Sequence, residues 1–266
     1  MMTKSIYQAL VDLKEANKAG VLCTIVRSQG STPRGVGSKM LVFPNGSIIG
    51  TVGGGEVESR AIQEALGSLK DGNPRILPYS MVDPQRGDPG ICGGQLEVFV
   101  EPIIPAPTLL LIGGGHVGKA VAHLADWLGF RVVVSDDRPA FCTPEAIPEA
   151  NAFYPVPLTD LPEQMEITPW TYLVLTTRGS DVDIAGLPVL LETPAAYFGV
   201  IGSQRRWEMT RKHLITKGIS KELLARVHSP IGLELHAETP NEIAVSIMAE
   251  ILMLRDGGDG QQMSNP

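Results

Sequence analysis

Cysteine is scarce in this chain: three in 266 residues. Cys23, Cys92 and Cys142 are odd in number and widely spaced, which excludes a disulfide framework and suits a reducing compartment. Basic runs are also missing. Lys and Arg total 22 against 29 Asp and Glu, for a net charge of −7. The one basic cluster, Arg205, Arg206, Arg211 and Lys212, is interrupted by Trp207 and Glu208. A duplex-binding protein needs a positive face, so no nucleic-acid partner is expected. No apolar run approaches the ~20 residues of a membrane span. The opening MMTKSIYQALVDLKEANKAG is amphipathic and has no apolar signal core, so no membrane association and a cytoplasmic location are expected. Tyr-x-x-x-Lys, a hydride-transfer signature, is absent too: none of the tyrosines at 7, 79, 154, 172 and 197 has lysine four residues on.

What remains is a globular composition, 43% hydrophobic and 19% charged, able to bury a real core. Ile6, Leu10 and Leu13 recur at helical spacing, and Gly20 is a plausible stop. VLCTIV (21–26) reads as a strand. MLVF and SIIGT flank Pro44-Asn45-Gly46, a hairpin signal. Val57, Ala61, Ile62, Ala65, Leu66 and Leu69 mark a helix, and QLEVFVEP (95–102) alternates as a strand does. Residues 1–101 therefore read as an α+β domain. Pro102, Pro105 and Pro107 mark an extended linker over 102–107.

Strands and helices then alternate, which predicts a Rossmann-like parallel-sheet domain over 108–256, with 257–266 a disordered tail. The fold class is thus α/β, an α+β domain followed by a parallel-sheet domain. LLLI (109–112) and RVVVSD (131–136) flank a helix over 116–128. YLVLTT (172–177) and AAYFGVIG (195–202) are later strands, with helices near 203–217 and 240–255. Thr239, Pro240 and Glu242 spell a capping box at the start of the last helix.

Gly113, Gly115 and Gly118 form Gly-x-Gly-x-x-Gly between a strand and a helix, with Asp136 23 residues beyond Gly113, close to the usual ~20. Gly113 permits the turn, Gly115 lets a phosphate approach the backbone, and Gly118 lets helix and strand pack. The unpaired N–H groups of the helix start favour an anion. Asp136 is placed to accept ribose hydroxyls, with Arg138 nearby leaving room for NADP. His116 lies inside the loop, either against an anionic ligand or in solvent. An NAD(P)-dependent oxidoreductase and an NAD-binding redox sensor are the readings this fingerprint supports alone. His123 and His213 fall in helical patterns, and no histidine–acid pair is evident.

Cys92 lies in PGICGGQ (89–95), where flanking glycines leave a thiol uncrowded and fit to ligate a soft metal or carry sulfur as a thiolate; a small buried residue before a strand is the alternative. Cys23 and Cys142 suit simple burial. QGSTPRGVGSK (29–39) and the glycines before Glu56 suggest a second anion-binding concavity. Arg34 would be its forked donor, and Gly54 and Gly55 would stand at a helix start; two tight turns explain the same residues. Asp181 and Asp183 in TTRGSDVD (176–183) are either site acids or helix caps.

The chain resembles the XdhC/CoxI family through several ordered blocks. These are GSTPRGVGSKMLV (30–42), GTVGGGEVES (50–59), GICGGQLEVFVEP (90–102), LLLIGGGHVGKAVA (109–122), VSDDRPAF (134–141), FGVIGSQRR (198–206) and HSPIGLELHAETPNEIAVSIMAEI (228–251). The resemblance implies a cofactor-insertion chaperone rather than an enzyme. Such a protein binds molybdenum cofactor (molybdopterin) transiently and assists its sulfuration by a cysteine desulfurase. It then aids insertion into a xanthine dehydrogenase-type molybdenum hydroxylase apoenzyme. The resemblance also implies a homodimer, and Cys92 corresponds to the family's Cys-Gly-Gly cysteine. One departure is visible. In the family's Thr-Arg-Gly-His-x-x-Asp pattern, Thr177, Arg178, Gly179 and Asp183 match, but Ser180 holds the histidine position, and serine cannot ligate or titrate as histidine does.

Overall fold

The computed structural model describes residues 5–80 and 93–264. The chain divides into two compact units, residues 1–105 and 106–266.

In the first unit α1 (Ile6–Glu15) precedes β1 (Gly20–Gln29), β2 (Lys39–Val42), β3 (Ile48–Gly50), α2 (Gly55–Asp71), β4 (Arg75–Ser80) and β5 (Gln95–Ile103). The strands form one antiparallel sheet in the order β3-β2-β1-β5-β4. Alternation of side chains along a strand separates two cores. Met40 and Val42 join Val21, Cys23, Ile25, Val98 and Val100 beneath Val57, Ala61 and Ala65 of α2. Leu41, between them in sequence, turns to Ala9 and Leu13 of α1. The hairpin read at Pro44–Gly46 is present, with Gly46 at φ 79.

β1 runs three residues beyond the 21–26 reading, because Arg27, Ser28 and Gln29 keep pairing with β5 after a register shift. β5 runs through Pro102, opposite Val21, to Ile103. β4 was not evident in sequence. It carries Pro78, which is tolerated because β4 is an edge strand.

The second unit contains β6 (Thr108–Ile112), α3 (His116–Trp127), β7 (Arg131–Ser135), β8 (Ala152–Tyr154), α4 (Leu161–Gln164) and β9 (Thr171–Leu175). α5 (Ser180–Leu191), β10 (Tyr197–Val200), α6 (Gln204–Thr216), α7 (Lys221–Leu224), β11 (Val227–His228) and α8 (Pro240–Asp256) follow. Every pair in the sheet is parallel, in the order β11-β10-β9-β6-β7-β8. Counted within this unit, that is 3-2-1-4-5-6, the Rossmann order, whose switch point lies between the unit's first and fourth strands, β6 and β9.

All five residues of β6 are buried. Leu109 and Leu111 face a core with Val121, Ala125, Ile247 and Ile251 of α3 and α8. Leu110 and Ile112 face one with Leu187, Leu190 and Leu214 of α5 and α6. Each such leucine stabilises by roughly 1.5–3 kcal/mol relative to exposure. Helices on both faces therefore hold β6 rigid, and its carboxyl end with it. α8 begins with the capping box that its sequence spells, Thr239 with Glu242.

Candidate functional site

The end of β6 delivers the chain to Gly113, whose N–H donates to the Ser135 carbonyl at 2.9 Å. Its φ of 107° is left-handed, and a Cβ there would stand 2.6 Å from the Thr176 carbonyl oxygen. A Cβ on Gly118 would collide with the Gly113 carbonyl oxygen, which accepts a 2.7 Å hydrogen bond from Thr176 Oγ1. Gly113 and Gly118 are therefore demanded by the protein's own packing. Gly115 is not: among the described residues nothing lies within 4 Å of where its Cβ would be. It is the N-cap of α3 without a side-chain cap, and the first turn of that helix has no acidic residue. Of the three fingerprint glycines, only Gly115 leaves space that the protein does not fill, at a helix start suited to an anion. His116 opens α3 and is exposed, as is Lys119.

Asp136 follows β7 and is buried, 5% exposed. Its Oδ2 accepts from Gly114 N–H at 2.9 Å and from Arg138 Nη2 at 2.7 Å. Its Oδ1 accepts from Arg138 N–H at 3.0 Å and Arg138 Nε at 2.9 Å. Burial alone would raise this carboxyl's pKa, but the Arg138 and Gly114 hydrogen bonds outweigh it and hold it below the ordinary value. The Arg138 guanidinium lies 4.0 Å over the Phe141 ring. Next to it, Arg178 forks onto exposed Asp137 through Nη1 at 2.6 Å and Nη2 at 2.8 Å. Both arginines line a cavity of about 290 Å³ over the ends of β6, β7 and β9, with Val156, Leu158 and Val182 as apolar wall.

Asp181 and Asp183 do not cap α5; Gly179 holds that position without a side-chain bond. Asp183 is fully buried. It accepts from Thr177 Oγ1 at 2.5 Å and from Arg206 Nη2 at 2.6 Å. Arg206 Nη2 also reaches Thr177 Oγ1 at 3.1 Å. This triangle ties β9, α5 and α6 behind the cavity. Ser180, at the departure from the family pattern, is the first residue of α5.

Histidine–acid pairs that are not evident in the sequence form in the structure. His123 Nδ1 lies 2.8 Å from Glu149 Oε1, and His228 Nδ1 lies 3.1 Å from Glu250 Oε1. Their partners are 26 and 22 residues away, beyond any local pattern. Glu250 also accepts from Tyr197 Oη at 2.9 Å and Gly232 N–H at 2.5 Å, and the Tyr197 and His228 rings stack at 4.9 Å. Three donors from β10, β11 and the following loop thus fasten the sheet edge to α8. Burial would raise the Glu250 carboxyl, and those donors bring it below its ordinary value.

In the first unit three glycine-rich stretches meet. A Cβ on Gly94 would lie 2.7 Å from Thr32 Cγ2 and closer still to the Ser31 carbonyl oxygen. One on Gly53 would lie 2.8 Å from Pro33 Cγ. Gly53, Gly54 and Gly55 all have positive φ, at 143°, 74° and 57°. The start of α2 already carries two carboxylates, Glu56 and Glu58. Glu56 pairs with Arg60, and Glu58 accepts from Thr51 Oγ1. They offset the positive end of the helix, which weakens the expected anion cradle at Gly54 and Gly55. Arg34 is exposed on the neighbouring loop. Cys92 lies outside the described residues, though Gly93 and Gly94 after it are placed. Cys23 and Cys142 are free and buried, and burial pushes the Cys23 thiol up to about 12. Among the described residues no group of three or more His, Cys, Asp or Glu is arranged to hold a metal ion, and no helix is long and apolar enough to cross a membrane.

A family model described as the XdhC Rossmann domain matches residues 109–251, and one described as the XdhC and CoxI family matches residues 13–80. The chain belongs to the XdhC family. YqeB of Escherichia coli K12, described as uncharacterized, is 36% identical to this XdhC-family chain over 266 residues, 98% of the chain and 48% of YqeB. A protein of Bacillus subtilis described as a probable xanthine dehydrogenase subunit is 35% identical over 163 residues, 60% of the chain and 46% of that protein. The chain therefore spans about half the length of these two relatives. The molybdenum cofactor insertion chaperone PaoD of Escherichia coli K12 is 25% identical over 281 residues, 95% of the chain and 88% of PaoD. A crystal structure described as a xanthine dehydrogenase from Bacillus halodurans has the same fold. Its TM-score is 0.52 at 22% identity, over 99% of this chain and 98% of that one.

Proposed function

We propose that this protein is an accessory chaperone that binds molybdenum cofactor as cargo and serves the maturation of a xanthine dehydrogenase-type molybdenum hydroxylase. The observation that carries this reading is the packing of three distant glycine-rich stretches in the first unit. Gly94 is packed against Ser31 and Thr32 and Gly53 against Pro33, and among the described residues nothing lies within 4 Å of where a Cβ would stand on Gly54, Gly55 or Gly93. Open, permissive backbone, part of it directly after Cys92 in the chain, suits a ligand with a phosphate and a soft, sulfur-bound metal. The likeness to PaoD and to the Bacillus subtilis protein supports the same reading. In its finer form, Cys92 contributes a thiolate while a cysteine desulfurase sulfurates the cargo, and the protein works as a cytoplasmic homodimer.

The test is retention. Cofactor released anaerobically from a molybdenum hydroxylase is mixed with wild type and Cys92→Ala, and molybdenum is measured in the protein peak after gel filtration. Wild type is expected to retain cofactor and the variant to lose most of it. No retention by wild type overturns the proposal; equal retention by both removes Cys92 from it.

A second reading, binding of NAD(P) by the second unit for redox catalysis or sensing, is favoured by the unfilled space at Gly115. The glycine loop fits a pyrophosphate. Asp136, its ribose partner in the fingerprint, is already fully engaged. Saturable binding with turnover of a carbonyl or alcohol substrate would support an enzyme, and binding without turnover a sensor.

A further inference from the structure

A carboxylate offers about four lone-pair positions. Asp136 uses four: Gly114 N–H and Arg138 Nη2 on Oδ2, and Arg138 N–H and Nε on Oδ1. The residue that in a dinucleotide fold accepts the ribose diol has no acceptor left for one. A diol binding there must first break a part-buried, charge-assisted fork. The guanidinium that fills the site is not itself used up. Among the described residues, Arg138 spends Nε and Nη2 on Asp136 and keeps Nη1, and Arg178 spends Nη1 and Nη2 on Asp137 and keeps Nε. Both line the same cavity as Asp136, and Phe141 supports the Arg138 plane from below. A phosphate therefore finds donors without breaking either pair. Asp137 and Asp181 also border the cavity, so two guanidinium groups must carry the attraction against that acidity.

We propose that Arg138 is a specificity-determining residue that closes the second unit to an unphosphorylated ribose diol, so that among adenine dinucleotides it selects the 2′-phosphorylated one. The proposal is independent of cofactor delivery, since its test contains no molybdenum and its failure leaves the cargo reading intact.

The experiment is calorimetric titration of the full chain with NADP⁺ and NAD⁺, using wild type, Arg138→Ala and Arg138→Lys. Wild type is expected to bind NADP⁺ at least about tenfold more tightly than NAD⁺, a modest ratio for a charge-assisted contact. Arg138→Ala frees the carboxylate and removes the donor, so NAD⁺ binding should strengthen, NADP⁺ binding weaken, and the order invert. Arg138→Lys keeps the charge but loses the fork, and should bring the ratio towards one; it decides the matter if circular dichroism shows that the alanine variant does not fold. Wild type binding NAD⁺ as tightly as NADP⁺, wild type binding neither, or a ratio unmoved in the folded variants would each overturn the proposal.

Discussion

Two glycines of one motif have opposite reasons for being glycine. At Gly118 a methyl group would strike the Gly113 carbonyl oxygen. Alanine's better helix propensity, about 1 kcal/mol, acts in the other direction but cannot match backbone overpacking of roughly 2–3 kcal/mol. Gly118→Ala should therefore lower the thermal midpoint by several degrees, at about 2–4 °C per kcal/mol. At Gly115 a methyl group meets nothing among the described residues, so Gly115→Ala should change stability by under about 1 kcal/mol while obstructing any phosphate at α3. Scanning calorimetry of both variants, with a nucleotide titration of the second, separates packing from binding. The motif's identity was legible in sequence because it is local. Which of its glycines serves a ligand was not, since that depends on Thr176, 63 residues from Gly113.

At the scale of elements, α5 and α6 are joined by Asp183 and Arg206, and the pair is worth more in its breaking than in its making. Removing the charge of a buried partner costs about 3–5 kcal/mol, and Arg206 Nε already lacks a partner among the described residues. Asp183→Asn should sit near the lower figure, because Arg206 is partly exposed and can turn to water. Chemical denaturation should show that loss, whereas Asp181→Asn, at an exposed position of the same turn, should show almost none. The last helix gives a gentler case: Thr239→Ala removes the side-chain acceptor for Glu242 N–H and should cost about 1 kcal/mol. The capping box could be read from four consecutive residues. The Asp183–Arg206 pair could not, because capping is what an acid after Thr-Arg-Gly-Ser ordinarily does.

For the molecule as a whole, buried carboxylates set the response to acid. Asp136 and Glu250 have folded pKa values below their ordinary 3.8 and 4.5. A depressed carboxyl contributes stability that is fully present above the unfolded value and lost as pH falls through the folded one. The thermal midpoint should hold from pH 7 to about pH 5 and fall steeply below pH 4, and Glu250→Gln should flatten that fall while lowering the plateau. A midpoint that stays level down to pH 3 would show that neither carboxylate is linked to folding. The sequence by itself determined the succession of an α+β unit and a parallel-sheet one, the glycine fingerprint and the capped last helix. Each of these rests on periodicity or spacing within a few turns of chain, where backbone geometry acts directly. Tertiary structure alone decided that Asp136 is closed by Arg138, that Glu250 gathers Tyr197 and His228, and that Gly94 lies on Thr32. Those contacts exist because sheet order brings together strands far apart in sequence, and a carboxylate's free lone pairs can be counted only once its neighbours are in place.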